Sequence, residues 1–200
     1  KNDPKIQIKE WVKDMLFDRI RFDVFDQSIE YFEKITDKFA KYNFTYIYGY
    51  TNSIYAFAQY LGEYSTSTLK EVCKSLSYVL VTAEMCNERM RKKMSKIFGV
   101  PVYREYGSSE TSIIAIENKL HEWEIAAQRV YVEIVDQNGK LLPDGCTGRI
   151  LVTDFYNYAM PIIRYEIGDE GSIVSKDKFP FFQLNSLEGR KSDTILLPSG

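Results

Sequence analysis

The chain has 200 residues, a formal net charge of −2 at pH 7 and 44% hydrophobic residues, which fits one domain, or one domain with a subdomain, around a sizeable core. No basic stripe favours nucleic acid as a partner, and no apolar run of about 18 residues favours a membrane span. Cys73, Cys86 and Cys146 are widely spaced and odd in number, so we expect a reduced, cytoplasmic protein rather than a disulfide-bonded one. Because the sequence starts at Lys1 and has no obvious end signal, we expect a piece of a longer protein.

The first half of the chain alternates predicted helices with short predicted strands. Apolar residues at three- and four-residue steps predict helices over residues 5–17 and from about Ser28 to Lys41. The next predicted elements are a strand over 44–48 that Gly49 ends, a helix from Thr51 to Gly62, a short helix over 67–74, a strand over 78–81, a helix from Asn87 to Gly99 and a strand over 100–106. The basic run at 89–93 is expected to form the solvated face of its helix.

This alternation predicts an α/β fold with a layered parallel sheet and right-handed crossovers. Residues 78–81 are continuously apolar, as in a strand that is covered on both faces. Ligands of such sheets bind beyond the carboxyl ends of the strands. Residues 82–84 and 107–110 both fall at such ends.

The pattern changes near Ser112, where short and mostly β-prone runs begin. Residues 130–135 alternate, turn at Asn138-Gly139 and return as 148–153, which predicts an antiparallel pair. Further strands are expected over 162–165, 171–174 and 179–184. We therefore expect an α/β subdomain over residues 1–118 and a β-rich antiparallel subdomain over 119–200.

Residues 102–110, Val-Tyr-Arg-Glu-Tyr-Gly-Ser-Ser-Glu, join a β-prone run to a glycine, two hydroxyls and a carboxylate. Gly107 would let the backbone pass close to a ligand, and Ser108 and Ser109 can donate to phosphate oxygens. Glu110 could then hold a hard cation that also contacts the phosphate. Taken alone, the stretch also fits a strand end followed by a polar turn.

Three other turn clusters could contribute to a ligand site. The Gly-Asp pair that ends at Asp169 can accept both hydroxyls of a ribose, or it can be a simple turn between strands. Arg190, beside a glycine, suits a bidentate contact with phosphate or ribose oxygens, unless it lies in a solvated charged turn. The small residues of Thr82-Ala83-Glu84 leave room for a flat ring, although small residues there are also ordinary packing.

The order of these clusters resembles the adenylate-forming enzymes, and within them the phenylacetate–coenzyme A ligase-like branch, which includes proteins of capsular polysaccharide biosynthesis. The resemblance covers nearly the whole chain, and it is specific as a series although each motif alone is weak. The matching segments are 49–53 (Gly-Tyr-Thr-Asn-Ser), 82–84 (Thr-Ala-Glu), 106–110 (Tyr-Gly-Ser-Ser-Glu), 120–124 (Leu-His-Glu-Trp-Glu), 132–134 (Val-Glu-Ile), 142–145 (Leu-Pro-Asp-Gly), 148–150 (Gly-Arg-Ile), 160–165 (Met-Pro-Ile-Ile-Arg-Tyr), 168–169 (Gly-Asp) and 189–190 (Gly-Arg).

The resemblance implies catalytic roles within the motif at 106–110. It implies that Tyr106 packs near the adenine of ATP or AMP and that Gly107 and Ser108 belong to the nucleotide-binding turn. Ser109 is then the hydroxyl that contacts the α-phosphate. Glu110 helps to hold Mg²⁺.

The resemblance also implies roles outside that motif. Asp169 is expected to bind the ribose hydroxyls, and Arg190 resembles the family arginine that contacts ribose or phosphate. Thr82, Ala83 and Glu84 take the place of a Gly-rich triplet that lines the adenine site. The chain would then represent the latter half of the N-terminal domain of an adenylate-forming ligase.

The implied reaction converts a small-molecule carboxylic acid and ATP to an acyl-adenylate, usually followed by transfer to a thiol such as coenzyme A. The family's upstream phosphate loop and its C-terminal domain with the adenylation lysine are absent from these 200 residues, so we expect the fragment alone to be inactive. In many members an aspartate stands three residues after the hinge glycine, where this chain has Ser192 followed by Asp193. Two alternatives remain: a catalytically degenerate nucleotide- or partner-binding domain, and a purely structural domain. The single histidine, His121, is expected to be structural.

Overall fold

The structure, a computed structural model, describes the backbone of residues 4–175 and 182–190 and the side chains of residues 8–174 and 183–187. Its helices are α1 (Pro4–Leu16), α2 (Ile29–Lys41), α3 (Thr51–Tyr64), α4 (Leu69–Val72) and α5 (Glu88–Phe98). Its strands are β1 (Tyr46–Tyr50), β2 (Tyr78–Thr82), β3 (Val102–Ser108), β4 (Ser112–Glu117), β5 (Trp123–Ile125), β6 (Val130–Val135), β7 (Gly148–Asp154), β8 (Tyr165–Ser175) and β9 (Phe182–Arg190).

The strands form one mixed sheet in the order β1-β2-β3-β4-β5-β9-β8-β7-β6. The pairs β1–β2 and β2–β3 are parallel, and the later pairs are antiparallel. This arrangement confirms the predicted fold class, an α/β unit with a parallel sheet followed by an antiparallel β-rich unit. Among the described helices, none is long and apolar enough to cross a membrane.

Strand β3 belongs to both parts of the sheet. Its Val102 lies in a core formed with helices α2 to α5, whereas its Tyr106 packs against a second core formed by the antiparallel strands. Ile114 and Ala115 of β4 are fully buried in that second core. The two halves therefore meet along β3, and a division of the chain near residue 118 stays a prediction.

The predicted helix ends of α5 are confirmed. The Asn87 side chain accepts a hydrogen bond from the backbone N–H of Met90 and so caps the first turn. Gly99 ends the helix in the left-handed conformation, with φ of 72°. A capping box between Thr68 and Glu71 likewise begins α4, which is shorter at Leu69–Val72 than the predicted helix over 67–74.

The predictions that Gly49 ends a strand and that Gly62 ends a helix are wrong. Gly49 lies inside β1 and Gly62 inside α3, which continues to Tyr64. A Cβ at Gly62 would lie 3.0 Å from Cδ1 of Ile97, so this glycine allows α3 to pack closely against α5. Gly62 is therefore a packing position rather than a chain break.

The antiparallel half differs from the prediction in its strand bounds. Strand β4 was not predicted, and residues 162–164 precede β8 rather than forming a strand. The predicted segment 171–174 is part of the longer β8, which continues through a register shift between Asp169 and Gly171. The predicted strand over 179–184 lies partly outside the described residues, and β9 is described from Phe182.

The basic run of α5 is not uniformly solvated, which corrects the prediction for Arg91. This residue is only 8% exposed, and its guanidinium donates to Oε2 of Glu88 (2.8 Å) and to Nε2 of His121 (2.9 Å). The His121 ring also packs near the Tyr103 ring, with 5.6 Å between centroids. His121 therefore joins α5 to the start of β5, in agreement with a structural role.

Candidate functional site

A tight turn connects β3 to β4 and presents the hydroxyl and carboxylate of residues 109 and 110 to solvent. The Ser108 hydroxyl accepts a hydrogen bond from the backbone N–H of Thr111 (3.1 Å) and bonds the Thr111 hydroxyl (3.0 Å). Thr111 is fully buried, so it fixes the base of the turn. Ser109 and Glu110 are exposed at its tip. Ser108 thus holds the turn together, while Ser109 and Glu110 face outward.

Gly107 permits a close approach between two strands at the base of this turn. A Cβ added at Gly107 would overlap the carbonyl oxygen of Ser112, and the β3–β4 register shifts between Tyr106 and Gly107. Ser112 has a positive φ of 60°, which few non-glycine residues adopt. The close neighbour of Gly107 in the structure is the backbone of β4, and the predicted approach of a ligand to Gly107 stays a prediction.

The segment 82–84 lies at the carboxyl end of β2, as expected, and is bound to the start of α3. Oε2 of Glu84 accepts a hydrogen bond of 2.7 Å from the backbone N–H of Asn52, and the buried Thr51 hydroxyl donates to the Glu84 carbonyl oxygen (3.0 Å). A carboxylate at this place also interacts favourably with the helix dipole. Ala83, between them, has φ of 69° and is exposed. Glu84 therefore anchors the segment, and Ala83 is its open surface.

Asp169 of β8 lies beside Tyr106 of β3. The Tyr106 hydroxyl donates a hydrogen bond of 2.8 Å to Oδ2 of Asp169, and Asp169 is half-buried. Gly168, which precedes it, has φ of 93°, so a side chain there would be strained. The backbone register pairs Asp169 with Arg190 of β9, while the Arg190 side chain lies outside the described residues. The structure thus brings Asp169 of the Gly-Asp motif to Tyr106, and pairs the backbone of the Gly-Arg motif with the strand that carries Asp169.

A second carboxylate, Glu105 in the middle of β3, was not singled out from the sequence. Oε1 of Glu105 accepts hydrogen bonds from the Thr82 hydroxyl (2.9 Å) and from the Tyr48 hydroxyl (3.0 Å). Partial burial, and then the hydrogen bond to the Glu105 carboxylate, raise the pKa of Tyr48 above its ordinary value. The two-residue period of β3 could have indicated that Glu105 and Tyr106 face opposite sides of the sheet.

A buried ion pair supports β3 from behind. Nε of Arg104 donates to Oε1 of Glu117 (2.8 Å), whose side chain is fully buried, and the Arg104 backbone N–H donates to Oε2 (2.9 Å). Arg104 also donates to the carbonyl oxygen of Cys86 (3.0 Å) and pairs with Glu88 (3.0 Å). Its guanidinium lies over the Trp123 ring at 5.5 Å. These contacts tie β3, β4 and α5 together next to the candidate site.

The arrangement offers hydroxyls, carboxylates and an aromatic ring. Residues 4–175 and 182–190 contain no group of three histidine, cysteine or acidic side chains that could enclose a metal ion. Mg²⁺, however, is commonly held by one or two carboxylates together with substrate phosphates. An exposed carboxylate in a hydroxyl-rich turn, such as Glu110, is compatible with that mode of binding.

The chain is similar in sequence to known proteins that include coenzyme A ligases. Protein CapK of Staphylococcus aureus is 27% identical over 175 residues, which cover 84% of this chain and 36% of CapK. Phenylacetate-coenzyme A ligase of Thermus thermophilus is 33% identical over 103 residues, which cover 48% of this chain and 22% of the ligase. The chain therefore spans only about a third or less of the length of these relatives.

Solved structures share the fold. A 2-hydroxyisobutyryl-CoA ligase in the postadenylation state superposes with a TM-score of 0.75 at 15% identity, over 88% of this chain and 39% of the ligase. An anthranilate CoA ligase in complex with anthranoyl-AMP gives a TM-score of 0.60 at 16% identity, over 86% of this chain and 35% of that one. The family of AMP-binding enzymes matches residues 21–157. The chain therefore belongs to the AMP-binding enzymes of the adenylate-forming superfamily.

Proposed function

We propose that the full-length protein activates a small-molecule carboxylic acid with ATP and then transfers the acyl group to a thiol such as coenzyme A. Family membership and the relatives that are acid–coenzyme A ligases support this proposal. The solved structures of similar fold include ligases in complex with acyl-adenylates and with coenzyme A. This chain covers 29% and 22% of the length of two such ligases, so the proposal concerns the full-length protein.

The observation that carries the proposal is the hydrogen bond between Tyr106 and Asp169. It joins the β3 strand end to the Gly-Asp motif, two features that the sequence linked only through the family resemblance. An adenosine bound here would place its ribose hydroxyls at the Asp169 carboxylate and its adenine near the Tyr106 ring. Arg190, paired with Asp169 through the backbone of β9, would contact ribose or phosphate.

The turn after β3 would contact the phosphates. The exposed Ser109 hydroxyl would donate to the α-phosphate, while Ser108 and Gly107 keep the turn in shape. Glu110 would hold Mg²⁺, which supplies charge neutralisation at the phosphates when bound. At the other side of the site, Ala83 would form the open surface against adenine, with Thr82 and Glu84 holding the segment in place.

In the proposed reaction a carboxylate oxygen of the acid attacks the α-phosphorus of ATP. The new bond joins that oxygen to phosphorus, and the bond from phosphorus to the pyrophosphate oxygen breaks with its electron pair leaving on pyrophosphate. No side-chain nucleophile is needed, since phosphoryl-type transfer depends on positioning and charge stabilisation. The hydroxyl of Ser109 and the carboxylates of Glu110 and Asp169 are suited to those tasks.

The test is ATP–pyrophosphate exchange by the full-length protein with a panel of carboxylic acids. We expect exchange that depends on the acid, and a loss of at least tenfold in Asp169→Ala. A matched control is Asp37→Ala, an exposed carboxylate of α2, which should leave exchange unchanged. Nucleotide binding without exchange for any acid would instead identify a degenerate nucleotide-binding protein. A lack of both would leave the site without a nucleotide function.

A further inference from the structure

Helix α1 presents an apolar stripe that no described part of the protein covers. Ile8, Trp11, Val12, Met15 and Leu16 follow the i, i+3, i+4, i+7, i+8 spacing of a single helix face. Four of these residues are 60–73% exposed, and Val12 is 36% exposed. None of the described α1 side chains belongs to either hydrophobic core. A contiguous exposed apolar surface of this kind marks a place where another segment or molecule packs.

The orientation of α1 is fixed from its polar side. Arg21 donates hydrogen bonds to Oε2 of Glu10 and to Oδ2 of Asp14, each at 2.9 Å. Arg19 donates to Oδ1 of Asp14 at 2.7 Å. Glu10 and Asp14 lie on the helix face opposite the apolar stripe. These contacts therefore hold the polar face and leave the stripe directed outward.

The segment that follows α1 is anchored to the first core. The Phe22 ring lies 6.2 Å, between centroids, from the rings of Phe39 and Phe44. The Ser53 hydroxyl donates to the carbonyl oxygen of Val24 at 3.1 Å. A helix of 13 residues is only marginally stable in water, since most helical stability in proteins comes from packing of the apolar face. We therefore expect the stripe to be covered in the full-length protein.

The charges around α1 favour a neutral protein surface over a lipid surface as the cover. Residues 1–26 contain six lysines and arginines and six aspartates and glutamates, so their net charge is zero. Helices that bind membrane interfaces are typically rich in lysine and arginine and are attracted to anionic lipids. The carboxylates of α1 are instead paired within the chain, with Arg19, Arg21 and Lys13.

The relatives contain much more polypeptide than this chain. The match to CapK, for example, covers 36% of that protein. A cover from the same polypeptide avoids the loss of translational and rotational freedom that accompanies the binding of a second molecule. The chain after Arg190 continues from β9, five places from β1 in the sheet, whereas α1 is joined to the first core beside β1. Polypeptide that precedes α1 therefore has the shortest connection to the stripe.

We propose that the apolar stripe of α1 is an internal packing surface, covered in the full-length protein by an uncharged, apolar helix or strand from the polypeptide that precedes these 200 residues. Trp11 is the largest side chain of the stripe, and aromatic side chains bury the most surface at such contacts. The inference is independent of the proposed reaction, because α1 contributes none of the candidate site residues.

The first experiment is amide hydrogen–deuterium exchange of the full-length protein, followed by mass spectrometry of peptides within residues 8–16. We expect these amides to exchange about a hundredfold more slowly than in an unstructured peptide, or slower still, since a packed helix opens only together with its surroundings. The rate should be the same at protein concentrations that differ tenfold, and with or without lipid vesicles. An uncovered α1 would show only a few-fold protection.

Paired substitutions then examine the stripe itself. Leu16 and Leu120 are 73% and 77% exposed, so without a cover Leu16→Gln and Leu120→Gln should be equally mild. Glutamine and leucine have similar helix propensities, so Leu16→Gln changes burial rather than helix formation. With the cover, Leu16→Gln should lower the melting temperature of the full-length protein by about 3 °C or more, and Leu120→Gln by less than about 1 °C. The exchange measurement uses the unaltered protein, so it stands even where Leu16→Gln fails to fold.

The contrary outcomes are distinct. Equal melting temperatures in the two variants, or fast exchange of α1 under all conditions, mean that the stripe stays uncovered and overturn the inference. Protection that rises with protein concentration means that a second copy is the cover, which also overturns it. Protection that requires vesicles of phosphatidylcholine and phosphatidylserine does the same in favour of a lipid surface. None of these results bears on acid activation, which pyrophosphate exchange measures separately.

Discussion

The hydroxyl of Tyr106 donates a hydrogen bond of 2.8 Å to Oδ2 of Asp169, across 63 positions of sequence. The bond links the end of the last parallel strand, β3, to a strand of the antiparallel half. It also fixes the direction of a carboxylate that is proposed to accept ribose hydroxyls. An oriented acceptor loses less conformational entropy on binding than a free one, so the bond should contribute to nucleotide affinity.

Removing the Tyr106 hydroxyl should weaken nucleotide binding without abolishing it. Tyr106→Phe keeps the ring that would pack near adenine but removes the donor to Asp169. The loss of one such hydrogen bond corresponds to about 1 kcal/mol, or roughly a fivefold rise in Kd for AMP. Asp169→Asn should have a larger effect, since it removes the negative charge of the group that is proposed to accept the ribose hydroxyls. Isothermal titration of AMP into the full-length protein measures both.

The double variant and a control make that prediction specific. Tyr131→Phe, an exposed tyrosine of β6, should leave the Kd for AMP unchanged. Tyr106→Phe combined with Asp169→Asn should cost less than the sum of the two single effects, because the residues share one interaction. Strictly additive effects would show that the hydrogen bond does not orient Asp169 for the ligand.

Gly107→Ala should destabilise the protein by about 1–3 kcal/mol, because the added methyl group would overlap the Ser112 carbonyl oxygen in the backbone of β4. Backbone cannot move aside as a flexible side chain can, so the β3–β4 turn must distort. Urea-induced unfolding measures the change. Gly49→Ala is the matched control, since a Cβ there meets Cδ1 of Ile54 at an ordinary 3.6 Å. Equal stability of the two variants would contradict the close approach at Gly107.

Local signals in the sequence predicted the parallel half of the fold well. The alternation of apolar runs with capped helices identified β1, α3, β2, α5 and β3 in the correct order. The ends of α5 could be predicted from Asn87 and Gly99, because a side-chain cap and a left-handed terminus depend only on neighbours within one turn. Gly62 misled the prediction because its small size serves packing against Ile97 of α5, and Gly49 misled it because a glycine inside a strand need not end that strand.

The sequence was less informative wherever the determining contacts are distant. Strand β5 has only three residues, too few for a clear alternation, and it depends on pairing with β4 and β9. The burial of Arg91 required knowledge of His121, 30 residues away. Glu105 was not identified as a candidate residue, because nothing in the neighbouring sequence indicates that Tyr48 and Thr82 donate hydrogen bonds to it. Of the candidate residues, Tyr106 and Asp169 were expected in one site from the family resemblance, not from spacing.

The buried pair of Arg104 and Glu117 should be costly to break from one side. In Arg104→Met, the fully buried Glu117 carboxylate loses its cation, and such a change typically costs about 3–5 kcal/mol. Arg104→Met combined with Glu117→Met should recover part of that loss, because neither charge of the pair then remains buried. Urea-induced unfolding of the three proteins measures the differences.

A surface pair provides the comparison for the buried one. Lys13 and Glu10 form an ion pair at 2.8 Å, but the Lys13 side chain is 43% exposed. Lys13→Met should therefore change the free energy of unfolding by less than about 1 kcal/mol. If Arg104→Met is as mild as Lys13→Met, then the buried pair does not stabilise the junction of β3, β4 and α5.

Native-state alkylation should separate the three cysteines. Burial raises the pKa of the Cys86 thiol to about 11, against a weaker opposing effect of the Arg104 guanidinium. At pH 8, three units below that pKa, only about one Cys86 in a thousand is the reactive thiolate. Cys73 is also buried, whereas Cys146 is exposed in the loop before β7. Brief iodoacetamide treatment followed by peptide mass spectrometry should therefore modify Cys146 first, and all three only in urea. Modification of Cys86 at the rate of Cys146 without urea would mean that the segment between β2 and α5 opens readily, and with it the support beneath Arg104.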